Sequence, residues 1–183
     1  MDKVIVITWV SCSGKTTLQE ELSRRWYESP INFTTRSPRS GNCSSIDEDW
    51  DYNSKEFEEY IFLNKSNFLK KLRNWDFLEH VQYWWNWYWI SKFLPNWKVV
   101  LILDPIGRNQ VLRYFSDIWV EVVTYYLEIS KKVQDERLQQ RKLDEKQVIS
   151  RKKDFERFSP TNKCRRLNWT VAVKELADII ENA

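Results

Sequence analysis

Short apolar runs alternate along this chain with segments in which apolar residues recur at helical spacing. The run from Val99 to Asp104 is typical of a strand buried on both faces of a parallel sheet. Other strands are predicted over residues 4–8, 77–83 and 119–129, with a short last strand ending at 168. Helices are predicted over 18–25, 67–73, 107–115 and 171–180, two more within 131–158 with a break near 142–144, and a polar loop or insertion over 29–59. This alternation predicts an α/β fold, a doubly wound parallel sheet flanked by helices.

The first predicted strand leads through a turn of small residues directly into a helix. The turn ends in Gly-Lys-Thr, and this order is typical of a P-loop, whose backbone N–H groups and helix dipole hold nucleotide phosphates. Lys15 would reach the β- and γ-phosphates of a bound nucleotide, and Thr16 would offer its hydroxyl to Mg²⁺. A chance Gly-Lys-Thr in an ordinary turn is the alternative. The predicted ATP-binding residues here are Ser11, Cys12, Ser13, Gly14, Lys15, Thr16 and Thr17.

Tryptophan stands at several positions where glycine is expected. The chain has 11 Trp and 3 Gly among 183 residues, whereas average usage would give roughly 13 glycines. Trp9 occupies the first glycine position of the P-loop pattern, Trp75 and Trp97 follow Asn as glycine does in tight turns, and Trp26 follows the first helix. We hypothesise that the source genome reads the UGA codon as glycine, so that about ten of these residues are glycine in the cell. A truly Trp-rich protein is the alternative.

Charge, cysteines and hydropathy narrow the classes of function. A net charge of +3 is too small to indicate nucleic-acid binding, and the longest apolar run is far shorter than a membrane span. The aromatic stretch 83–89 could stack on single-stranded nucleic acid, but few basic residues flank it. Three cysteines without a C-x-x-C pair, and no signal segment, favour a reducing compartment. We expect a cytoplasmic monomer or homodimer without a membrane or nucleic-acid partner.

Several motifs together resemble those of the guanylate kinase family, from Val4 to the C-terminal helix. Residues 34–39 resemble T-T-R-x-P-R, and 60–68 with 75–79 resemble D-Y-x-F-V-S-x-x-x-F…G-x-F-L-E. Residues 85–92 resemble G-N-x-Y-G-T-S-K if Trp85 and Trp89 stand for glycine. The resemblance implies a P-loop NTPase-type fold and a phosphotransferase that moves the γ-phosphoryl group of ATP to GMP, with Mg²⁺, giving ADP and GDP.

The resemblance also implies which side chains bind GMP. In the family, arginines and a tyrosine grip the GMP phosphate, and a glutamate receives the guanine N1–H and amino group. A phosphate monoester carries nearly two negative charges, which arginine matches bidentately. A solvated basic loop or a half-buried packing tyrosine is the alternative for individual members, and Asp104 could instead cap a helix. The implied GMP-binding residues are Arg36, Arg39, Tyr60, Glu79, Tyr88 and Asp104.

The charged region after residue 131 resembles the lid of the family. Residues 137–141 resemble R-L-x-x-R, and 148–151 resemble V-I-x-R. Arginines on a lid neutralise phosphoryl charge, and lid closure excludes water; a solvated charged face is the alternative. Asn168 matches an asparagine near the adenine pocket, although it could be a turn residue. The implied catalytic residues are Lys15, Arg137, Arg141 and Arg151.

A single guanylate kinase-like domain is therefore expected, with a core of residues 1–33, 92–130 and 159–183, an inserted monophosphate-binding subdomain of 34–91 and a lid of 131–158. Two other functions stay open. One is an inactive module that binds phosphorylated or acidic peptides with the same arginines. The other is a kinase for another nucleoside monophosphate, because Ile90 stands where the family has a Thr or Ser that donates to guanine O6.

Overall fold

The computed structural model divides the chain into two compact units. The first consists of residues 1–29 with 95–183, and the second of residues 30–94. The residues described are 3–9, 12–30, 32–36, 60–74, 77–83, 85–92, 94, 98–140, 145, 148–149, 151–153 and 164–182, with the backbone alone at 9 and 83.

The described elements alternate between strand and helix in most of the first unit. The strands are β1 (Lys3–Trp9), β2 (Asn32–Thr34), β3 (Tyr60–Phe62), β4 (Phe77–Tyr83), β5 (Asn86–Ser91), β6 (Val99–Leu103), β7 (Glu121–Glu128) and β8 (Arg165–Asn168). The helices are α1 (Lys15–Ser23), α2 (Lys65–Arg73), α3 (Pro105–Asp117), α4 (Lys131–Gln139) and α5 (Val173–Glu181). In the described part of the chain, no helix is both long and apolar enough to span a bilayer.

A four-stranded sheet in the order β6-β1-β7-β8 forms the centre of the first unit, and all of its pairs are parallel. Ile5 and Ile7 of β1 pack in one buried cluster with apolar residues of α1 and α5. Val4 and Val6 point to the opposite face and are also fully buried, and α3 packs against β1, β6 and β7. Helices thus cover both faces of a parallel sheet, which confirms the predicted α/β fold.

Side-chain caps explain why some helices begin earlier than the apolar pattern suggests. Asp104 accepts hydrogen bonds from the N–H groups of Ile106 and Gly107 at 2.9 and 2.7 Å, and Pro105 opens α3. Proline is favoured at a first helical position because its missing N–H is not needed there. The prediction that this helix begins at Gly107 was therefore two residues late. Asn64 caps α2 in the same manner, accepting from the N–H of Asn67 at 2.8 Å.

The second unit contains a mixed four-stranded sheet in the order β3-β2-β5-β4. Strands β2 and β3 are parallel, whereas β5 is antiparallel to both β2 and β4. Trp89 is 1% exposed and stacks on Phe33 with 5.4 Å between ring centroids, while Phe68 of α2 lies 4.7 Å from it. The prediction of a polar loop or insertion over 29–59 missed strand β2, because three residues are too few to give an alternating pattern.

Candidate functional site

Residues 12–14, the described part of the turn between β1 and α1, contain two left-handed backbone positions. Cys12 and Gly14 both have positive φ, at 66° and 96°. The N–H of Leu18 donates to the carbonyl oxygen of Gly14 at 3.2 Å, so α1 begins directly after this glycine. No acidic residue lies in the first turn of α1. The N–H groups of a first helical turn have no acceptor within the helix, so this end favours an anion.

Ser13 adds a buried hydroxyl to the same turn. The residue is 1% exposed, and its Oγ has no hydrogen-bond partner among the residues described. Leaving a buried polar group unsatisfied costs about 1–3 kcal/mol. A phosphate oxygen bound in the loop would accept from this hydroxyl, so the residue suits the role predicted for it. Lys15 and Thr16 follow as the first two residues of α1, and both are partly buried.

A tryptophan that sequence reasoning did not assign to the site packs against the P-loop glycine. A Cβ built on Gly14 would lie 2.7 Å from Cζ2 of Trp169. The guanidinium carbon of Arg137 lies 5.4 Å from the centroid of the Trp169 ring. Arg137 Nη1 also donates to the backbone oxygen of Cys12 at 3.0 Å. The structure thus brings Arg137 of α4 to the P-loop and holds it between a carbonyl and an indole.

Substituting Gly14 by Ala is expected to lower stability for two reasons, backbone strain and a steric conflict. The left-handed backbone costs a residue with a Cβ about 1–2 kcal/mol, and the added methyl displaces the indole of Trp169. Thermal unfolding of Gly14→Ala, Trp169→Ala and the double variant measures the two parts. The second variant removes the steric conflict but not the backbone strain, so the two substitutions should be coupled rather than additive. Additive losses would show that the contact between residues 14 and 169 contributes nothing.

In the second unit, two threonines fix the segment that carries Arg36. Thr34 is fully buried, and its hydroxyl donates to the backbone oxygen of Trp87 at 3.0 Å. The hydroxyl oxygen of Thr34 in turn accepts from the N–H of Arg36 at 3.1 Å. The hydroxyl of Thr35 accepts from the N–H of Trp87 at 2.9 Å. These bonds tie residues 34–36 to β5, so the backbone at Arg36 is held by the sheet.

Three of the predicted monophosphate ligands lie together in this unit. The guanidinium carbon of Arg36 lies 5.8 Å from the centroid of the Tyr60 ring and 5.3 Å from that of Phe62. Tyr60 meets Tyr88 edge-to-face, with ring centroids 6.4 Å apart. Register explains the grouping, because Tyr60 pairs with Asn32 of β2 and Tyr88 pairs with Thr34. A cation and two phenol groups therefore lie close together where β2, β3 and β5 pair.

Glu79 lies on β4 of the same sheet and is 4% exposed. It pairs with Ile90 of β5, and the register shifts between Phe77 and Glu79. Burying a carboxylate is costly unless polar partners compensate. A carboxylate at this buried position is therefore suited to binding a polar ligand. The ring centroid of the neighbouring His80 lies 6.4 Å from that of Phe77 and 5.9 Å from that of Trp87, and burial lowers the pKa of its imidazole.

Sequence comparison with known proteins establishes the family. The guanylate kinase of Hydrogenovibrio crunogenus is 30% identical over 155 residues, which are 80% of this chain and 68% of that protein. The chain belongs to the guanylate kinase family. The guanylate kinase of Carboxydothermus hydrogenoformans is 26% identical over 156 residues, again 80% of this chain and 68% of that protein. No protein-family profile matches the chain.

A crystal structure extends this family relationship to the fold. The guanylate kinase of Anaplasma phagocytophilum superposes with a TM-score of 0.65 at 17% identity, over 99% of this chain and 83% of that one. The likeness supports the α/β arrangement that the parallel sheet of the first unit already indicates.

Other predicted site residues have local roles in this guanylate kinase family member. Asp104 caps α3, which is the alternative that the sequence left open, and its contact with GMP stays a prediction. Asn168 Oδ1 accepts from the N–H of Thr170 at 3.2 Å, as in a turn. Arg151 accepts a hydrogen bond at its backbone oxygen from Nε2 of Gln134 at 3.1 Å. Three predicted residues lie outside the described part of the chain: Ser11, Arg39 and Arg141.

Proposed function

We propose that this chain transfers the γ-phosphoryl group of ATP to GMP and releases ADP and GDP. The observation that carries the proposal is the convergence of Arg137 on the P-loop. Phosphoryl transfer requires positive charge around the phosphates. The N–H groups at the start of α1, Lys15 and Arg137 of α4 together supply it. The reducing compartment favoured by the cysteines is consistent with action in the cytoplasm.

On the ATP side, residues 11–17 would hold the phosphates with backbone N–H groups, helped by the hydroxyl of Ser13. Lys15 would neutralise the β- and γ-phosphates as a point charge. Mg²⁺ fits this site as a companion of the nucleotide. No cluster of three or more His, Cys, Asp or Glu side chains suited to a metal occurs among the described residues, and Mg²⁺ usually binds through substrate phosphates with few protein ligands. Thr16 would hold it through its hydroxyl, and the bound ion would neutralise phosphate charge.

On the monophosphate side, Arg36 and the hydroxyl groups of Tyr60 and Tyr88 would bind the phosphate of GMP, with Arg39 as a further ligand. Glu79 would accept the guanine N1–H and amino hydrogens. A carboxylate held in an apolar strand suits this task, because its interaction with a donor edge is strong where water is scarce.

The chemistry requires no general base. An oxygen of the GMP phosphate attacks the γ-phosphorus, the bond from that phosphorus to the β,γ-bridging oxygen breaks, and ADP leaves with the electron pair. The attacking oxygen is already anionic near neutral pH. Arg137, with Arg141 and Arg151 as further candidates, would stabilise charge on the transferring group, and a closed lid would keep water away.

One observation favours the alternative function, a kinase for a nucleoside monophosphate other than GMP. Ile90 is 2% exposed and pairs with Glu79 across β4 and β5, so its side chain offers no donor beside the proposed guanine ligand. The inactive peptide-binding module is less favoured, because a binder has no use for Lys15 in a P-loop or for Arg137 beside it.

A coupled assay of ADP formation with GMP, AMP, UMP and CMP tests the proposal. It is run on the protein with tryptophan at positions 9, 26 and 119 and on a variant carrying Trp9→Gly, Trp26→Gly and Trp119→Gly. Turnover should be fastest with GMP and depend on Mg²⁺. Preference for another monophosphate would support the alternative kinase. No turnover of any of the four by either protein would contradict phosphotransfer altogether.

A further inference from the structure

Two tryptophans in the described part of the first unit have a backbone conformation that side chains with a Cβ rarely adopt. Trp26 has φ 65° and Trp119 has φ 58°. Each comes a few residues after the last helical residue, Trp26 after α1 and Trp119 after α3. Positive φ is uncommon for residues other than glycine, and for bulky residues it is an outlier.

The hydrogen bonds around both residues follow one pattern. After α1, the N–H of Tyr27 donates to the oxygen of Leu22 at 3.1 Å, and the N–H of Trp26 donates to that of Ser23 at 3.2 Å. After α3, the N–H of Val120 donates to the oxygen of Phe115 at 3.1 Å, and that of Trp119 to Ser116 at 3.4 Å. These are the paired bonds of a Schellman motif, with tryptophan at the left-handed position that glycine usually occupies.

Packing does not compensate the backbone at either position. The side chain of Trp26 is 85% exposed and that of Trp119 is 95% exposed. Trp87 is the opposite case, because its ring stacks on Phe68 with 4.9 Å between centroids and it lies in a regular strand. At 26 and 119 the indole therefore combines an unfavourable φ with a large apolar surface in water.

We propose that residues 26 and 119 are glycine in the protein made by its source cell, inserted at UGA codons. The scarcity of glycine suggested the decoding, and the sequence pattern pointed to position 26. The structure adds position 119, which no motif marks, and separates both from the packed Trp87. The proposal concerns the identity of two residues and does not depend on the phosphotransfer activity.

The direct test determines the two residues in the native protein. Peptides spanning positions 26 and 119 are sequenced by mass spectrometry from source cells, and the codons for positions 26, 87 and 119 are read. Glycine at 26 and 119, both encoded by UGA, with Trp87 encoded by UGG, supports the proposal. Tryptophan in either peptide, or a UGG codon at 26 or 119, overturns it.

An independent test compares the unfolding temperatures of variants of the protein that has tryptophan at positions 26 and 119. Trp26→Gly and Trp119→Gly should each raise Tm by about 2–4 °C, while Trp26→Ala and Trp119→Ala should fall below the matching glycine variants. Alanine removes the exposed ring but keeps the Cβ, so the difference isolates the backbone. Trp87→Gly is the matched control and should lower Tm, because it removes a packed ring from a strand. Equal Tm values for the glycine and alanine variants would show that the left-handed backbone costs tryptophan nothing, and the structural argument for glycine at 26 and 119 would fail.

Discussion

Lys15→Ala is expected to reduce the rate of phosphoryl transfer to GMP by at least 10²- to 10³-fold, which is what loss of one electrostatic contact to a transition state typically costs. Lys15 opens α1 at the P-loop, and its ammonium is the charge proposed to reach the β- and γ-phosphates. The measurement is kcat and kcat/KM in the coupled assay, with far-UV circular dichroism and thermal unfolding to verify the fold.

Lys65→Ala is the matched control for this variant. Lys65 also opens a helix, α2, but it is exposed and belongs to the second unit. Its removal should leave the kinetic constants nearly unchanged. Normal turnover by Lys15→Ala would mean that the turn after β1 does not bind the triphosphate, and the proposed activity would lose its main support.

Arg36→Ala is expected to raise KM for GMP and lower kcat/KM for GMP by about 10- to 100-fold, because a hydrogen bond to a charged group contributes roughly 1.5–3 kcal/mol. KM for ATP should stay nearly the same, since the substitution lies on the monophosphate side. Arg36→Lys should recover only part of the loss, because an ammonium keeps the charge but not the bidentate fork. Initial rates with each nucleotide varied in turn give both constants.

The matched control is Lys71→Ala. The ammonium of Lys71 lies 5.7 Å from the centroid of the Phe33 ring, so it is another cation resting on an aromatic ring of the second unit, with no proposed contact to nucleotide. Its loss should leave KM for GMP unchanged. Equal effects of Arg36→Ala and Lys71→Ala would indicate that Arg36 acts through packing alone.

The hydrophobic pattern correctly predicted most of the longer strands, because about five residues are enough to show it. The run beginning at Val99 matches β6, and the predicted strand over 77–83 matches β4 of the second unit. Element ends were less predictable. Strand β7 begins at Glu121 rather than at residue 119, because Trp119 belongs to the turn that closes α3.

The sheet of the second unit could not be predicted from the hydrophobic pattern of neighbouring residues. Strands β2 and β3 have three residues each, and they exist because they pair with strands distant in sequence. Pairing also brings Tyr60 and Tyr88 together beside Arg36. A motif can name these residues, but only the register of β2, β3 and β5 makes them neighbours.

By itself, the sequence determined the alternation of apolar strands and helices, the Gly-Lys-Thr loop at the start of α1 and the family to which the chain belongs. These features are local, since each depends on residues adjacent in the chain. The tertiary structure alone decided that Trp169 packs on Gly14, that Arg137 reaches the carbonyl of Cys12, and that residue 119 has a left-handed backbone. The first two are contacts between distant segments, and the third depends on where packing ends α3, so none of them is encoded in a short stretch of sequence.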